Sequence, residues 1–127
     1  MSEKLIVGVY HSLKDAETAV AELDRHGFPI AQISIVAKDF ADGEEQQMSS
    51  RLSQTARPTD DLKSWFRKRF KWILSRQRFA GYEKHFHARK YLLVAHGTED
   101  QIAWAWAIVR ETGYVEADVH DETEADL

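Results

Sequence analysis

Two stretches of this chain follow one pattern, and that repetition restricts the fold more than any other feature. Lys4 to Tyr10 (KLIVGVY) is β-rich and bounded by polar residues, as a strand is. Ser12 follows as a helix N-cap, with Asp15 three positions on as in a capping box. Ala16, Ala19, Val20 and Leu23 recur at helical spacing and define one buried face. Gly27 and Pro29 stop the helix, and Ile33 to Ala37 form a second strand. An offset of 86 positions finds the same order again. Tyr91 to His96 is a strand and Thr98 is a cap. Ile102, Ala105, Trp106 and Val109 take the places of Ala16, Ala19, Val20 and Leu23. Gly113-Tyr114 matches Gly27-Phe28, Ala117 matches Ala31, and Val119 matches Ile33.

Two β-α-β halves predict an α+β domain of ferredoxin-like form: a four-stranded sheet with two helices on one face. Interleaved halves place the first and third strands in the centre and the second and fourth at the edges. The other sheet face is then open to an additional element or to a second subunit. The 127 residues suit one domain, with halves at 4–37 and 90–120 and a solvated acidic tail at 121–127.

Between the halves lies a helical insertion. Residues 38–60 are polar and without periodicity, hold Gly43 and Pro58, and read as a long loop. Residues 61–79 read as a strongly amphipathic helix. Leu62, Trp65, Phe66, Phe70, Trp72, Ile73 and Leu74 fall in one arc, with Lys63, Arg67, Lys68, Lys71 and Arg78 mostly opposite. Gly81 is expected to interrupt it, with one further turn over Tyr82 to Phe86. Charge follows these divisions: residues 60–90 hold ten Lys/Arg against three Asp/Glu, and residues 91–127 hold one against nine. Such asymmetry points to an anionic partner for the middle or to pairing of middle with tail.

The first forty residues resemble the opening of the bacterial general stress protein 17M-like (heat-induced stress protein YflT) family. The elements that carry the resemblance are Gly8-Val9-Tyr10, Asp15-Ala16-Glu17, Gly27-Phe28 and Ile33-Ser34-Ile35-Val36-Ala37. Tyr82-Glu83, YLLVAHGTED and Glu111-Thr112-Gly113 extend it to about two-thirds of the chain. The resemblance implies a role in bacterial stress physiology, with no reaction, cofactor or site residue to transfer. The middle departs from the family, whose members carry a glycine-rich stretch there.

Three functions from different classes follow as expectations. The first is a non-enzymatic assembly module, a homodimer formed through Trp65, Trp72, Trp104 and Ile108. Trp104 and Ile108 lie four apart on a second apolar side of their helix, which therefore needs a second cover. The next is a binder of nucleic acid or anionic membrane through Arg67, Lys68, Lys71 and Arg78. The last is a small-molecule or metal sensor, with His11, His85 and His87 as candidate ligands. Solvated loop histidines and a packed helix are the plainer readings of the same residues. No cofactor and no catalysis are expected, since the chain lacks a nucleophile elbow, a phosphate-binding glycine loop and HExxH. There is no cysteine, and no apolar run approaches the roughly 18 residues of a membrane span. A cytoplasmic protein is expected.

Overall fold

The computed structural model describes residues 3–38, 54–56 and 76–121, without the side chains of 54–56, 76–78 and 121. The order of elements is β1 (Lys4–Tyr10), α1 (Leu13–Arg25), a short 3-10 turn (Ile30–Gln32), β2 (Ile33–Val36), β3 (Gln54–Ala56), α2 (Arg76–His87), β4 (Tyr91–Gly97), α3 (Glu99–Val109) and β5 (Glu116–Asp121). The fold is α+β. Four antiparallel strands lie in the order β2-β4-β1-β5, and the short β3 adds to the outer edge of β2 in parallel. The opening strands of the two halves, β1 and β4, thus hold the centre.

Alternation along β1 divides the core in two. Ile6 and Tyr10 face α1 and α3, in a cluster with Ala16, Ala19, Leu23, Ile33, Ile35, Leu93, Ala95, Ile102, Ala105 and Val109. Leu5, Val7 and Val9 face the other way, with Val36, Leu92 and Val94, against Phe79, Tyr82 and Phe86 of α2. The face left open by the two repeat helices is therefore occupied by α2. Each of its three aromatic anchors is almost wholly buried, worth roughly 1.5–3 kcal/mol.

The expected break at Gly81 does not occur. Arg76–His87 is one continuous helix. Its anchors at 79, 82 and 86 keep helical spacing across the glycine, and their burial outweighs the cost of about 1 kcal/mol of an interior glycine. The amphipathic helix expected over 61–79 overlaps α2 at 76–79, and its remainder lies outside the described residues, as do most of the 38–60 loop and the tail beyond Asp121.

The constant offset of 86 also needs correction. It holds for the helices: Ser12 accepts from the Asp15 amide, and Thr98 accepts from the Gln101 amide in a full capping box. The strands are displaced from it. Val7 stands opposite Val94, 87 positions on, at the centre of the β1–β4 ladder. Ile35 faces Leu93 while Val119 faces Ile6, so the geometric counterpart of Ile35 is Val119, 84 positions on, rather than Ile33. The strand-to-helix link is one residue shorter in the second half, and the helix-to-strand link is shorter again. Only face and register decide this, because apolar residues alternate acceptably in either alignment.

Gly113 does not repeat the role of Gly27. Gly27 has φ 88 and ends α1 in a Schellman motif: its amide donates to the Asp24 carbonyl and that of Phe28 to Leu23. Phe28 is buried beside Leu23 in the core. α3 instead stops at Val109, where the Thr112 hydroxyl and amide both donate to the Val109 carbonyl. Tyr114, the counterpart of Phe28, is left 37% exposed.

Candidate functional site

α1 and α3 lie side by side on one sheet face, in equivalent places, so their outward positions can be compared directly. Those of α1 include Glu17, Thr18, Ala21 and Glu22. Arg25 donates to Glu22 at 2.8 Å and holds its carboxyl below the usual carboxylate range, an ordinary solvated arrangement. The same positions of α3 are Ala103, Trp104, Ala107 and Ile108. Ala103, Trp104 and Ala107 are exposed, Trp104 by 46%, and Ile108 is half-buried against the core. One position, Ala21 and Ala107, is a methyl in both halves. At the other three, two carboxylates and a hydroxyl in α1 become a methyl, an indole and a branched aliphatic in α3. Asp100 precedes this surface and Glu111 follows it, both exposed.

The indole is positioned by the turn beneath it. A Cβ on Gly27 would come within 3.4 Å of the Trp104 ring, so the ring lies over the end of α1. The base of α3 is fixed by an amide network. Gln32 Nε2 donates to the His96 carbonyl at 2.7 Å and to Gln101 Oε1 at 3.1 Å, and Gln101 Oε1 also accepts the Thr98 amide. Trp106, expected among the core positions, is half-buried and packs on the core edge.

Of the four residues assigned to self-association, Trp104 and Ile108 share this surface, while Trp65 and Trp72 lie outside the described residues. Arg67, Lys68 and Lys71 also lie outside them. Arg78 is in the first turn of α2, with its side chain not described.

The three candidate metal ligands have separate surroundings. His11 is exposed after β1. His85 Nε2 is 3.4 Å from Glu116 Oε2, and the exposed His87 ring contacts Phe86 edge-on. Among the described residues no group of three or more His, Asp or Glu side chains is placed to hold a metal ion. No helix among them is long and apolar enough to cross a membrane.

Two polar pairs, one buried and one part-buried, escaped the reading of the sequence. Tyr82 Oη and His120 Nε2 are 2.6 Å apart between α2 and β5, with the rings edge to face. Tyr10 Oη is 2.8 Å from Thr112 Oγ1. The single Thr112 hydroxyl hydrogen goes to the Val109 carbonyl, so Tyr10 is the donor. Burial raises the Tyr10 phenol above its ordinary value. Neither pair is visible in one dimension, since the partners are 38 and 102 positions apart. The contrast between the outer faces of α1 and α3, by comparison, was available from the repeat alignment.

No family model matches the chain, and no match was found among curated proteins or among solved structures.

Proposed function

We propose that this chain is a non-enzymatic binding and assembly module of ferredoxin-like architecture that self-associates through the outer face of α3, in a cytoplasmic, stress-associated role. One observation carries the assembly reading: the apolar surface of Ala103, Trp104, Ala107 and Ile108 stands where the equivalent helix of the other half presents Glu17, Thr18, Ala21 and Glu22. Both helices pack on the same two central strands; Trp104 also lies over the end of α1 and Ile108 against the core, and what sets α3 apart is the apolar surface still exposed at Ala103, Trp104 and Ala107. An exposed indole amid apolar neighbours is the composition of an interface centre. The ferredoxin-like assignment is supported by the central β1–β4 pair and by the two repeat helices sharing a face. The stress-associated role rests on the resemblance of GVY, DAE, GF and ISIVA to the general stress protein 17M-like family.

The test is light scattering after size exclusion across a range of concentrations, with Trp104→Glu as the variant. A dimer that Trp104→Glu converts to a folded monomer supports the reading. A monomeric wild type at every concentration, or a dimer indifferent to Trp104→Glu, defeats it.

A further inference from the structure

We infer that α3 docks on α3 of a second copy, antiparallel and about Ala103 and Ala107, with Arg110 of each copy beside Asp100 of the other; this rests on the self-association reading above. Asp100, Ala103, Ala107 and Arg110 keep the spacing that holds residues on one side of a helix, and Arg110 at the C-cap is still helical, with φ -63 and ψ -16. All four are exposed, away from the buried Ile102, Ala105 and Val109. The row reads acid, methyl, methyl, base, and its spacing is symmetric about Ala105. It therefore complements itself when reversed. Turned end for end on a second copy, Ala103 meets Ala107 twice and Asp100 meets Arg110 twice. The methyls let the two helices approach closely, and the half-exposed Trp104 ring over the end of α1 flanks the contact.

The charged neighbours on α3 decide the direction. Glu99 lies 3.6 Å from Lys4 of its own chain. The exposed Glu111 follows Arg110, on the Trp104 side of the row. Antiparallel packing gathers Asp100 of one copy with Arg110 and Glu111 of the other, at both ends, so each Asp100 has a cation beside it. Parallel packing sets the two Asp100 together at one end, with no cation of α3 near them, and crowds both Arg110 and both Glu111 at the other. Charges at an exposed rim set direction and register, while the indole and methyls at the centre supply the strength. The α1 helix of a second copy is a poorer cover, because its matching row has Glu17 where α3 has Ala103.

The experiment is sedimentation equilibrium of the full chain, with circular dichroism to confirm folding. Arg110→Glu leaves only acids where Asp100 and Glu111 meet, and should weaken the dimer about tenfold. Adding Asp100→Arg to the same chain sets a cation against those acids and should restore the dimer. A parallel pair allows no such restoration, since positions 100 and 110 then lie at opposite ends.

A dimer lost in Trp104→Glu but unmoved by Arg110→Glu overturns this inference and leaves self-association through α3 standing. Weakening by Arg110→Glu without restoration by Asp100→Arg overturns the antiparallel pairing. A wild type that stays monomeric, or a dimer indifferent to Trp104→Glu, overturns both.

Discussion

The phenol oxygen of Tyr82 on α2 lies 2.6 Å from the Nε2 of His120 on β5, in a contact closed to solvent. With His85 and Glu116 at 3.4 Å further along, it ties α2 to the edge strand of the sheet. Tyr82→Phe keeps the ring and its packing but removes the hydroxyl. The expected cost is about 1–2 kcal/mol, because a buried imidazole nitrogen loses this hydrogen bond. Urea unfolding checks it through a lower midpoint at unchanged slope.

Gly27 and Gly113 look equivalent in the repeat and should behave differently. Gly27→Ala places a Cβ on a left-handed residue beneath the Trp104 ring, and should destabilise by roughly 1–2 kcal/mol. Gly113 has open space where a Cβ would go, and Gly113→Ala should change stability by no more than about 0.5 kcal/mol in the unfavourable direction. Thermal melts of the two variants decide the matter, and equal losses would contradict the structure.

The Tyr10 phenol gives a prediction in alkali. Its folded-state value is raised above the ordinary 10.0, chiefly by burial. The folded state therefore holds this proton more tightly than the unfolded one. That contribution is fully present below about pH 10 and is lost as pH rises through the folded value. Tyr10→Phe should cost about 1 kcal/mol at neutral pH, through the bond to Thr112. It should also show a shallower loss of stability than wild type above pH 10. Parallel slopes for the two proteins in that range would exclude Tyr10 as the group responsible.

Thr98 and Ser12 cap equivalent helices, but only Thr98 has the reciprocal side-chain bond from its third-position partner, Gln101. Gln101 in turn accepts from Gln32, which binds the end of β4. Thr98→Ala should therefore cost more than Ser12→Ala, with both inside about 0.5–2 kcal/mol. Chemical denaturation of the two alanine variants measures the difference.

Local chemistry determined a large part of this protein in advance. Ser12 and Thr98 mark helix starts because a side-chain oxygen must take an otherwise unsatisfied amide, wherever the helix later packs. Ala16, Ala19 and Leu23, like Ile102, Ala105 and Val109, declare a buried face by spacing alone. Trp104 and Ile108 stand out as a second apolar side. What the tertiary structure decided depends on matters that no local pattern encodes. Strand offset is decided by which face meets a helix layer, so the repeat runs at 87, 86 and 84 rather than at one value. Gly81 stays helical because Phe79, Tyr82 and Phe86 find a sheet face to cover, and an apolar face gains its energy only once a partner surface exists. Tyr82–His120 and Tyr10–Thr112 form because burial compels polar groups to pair with whatever the fold brings near, however distant in the chain.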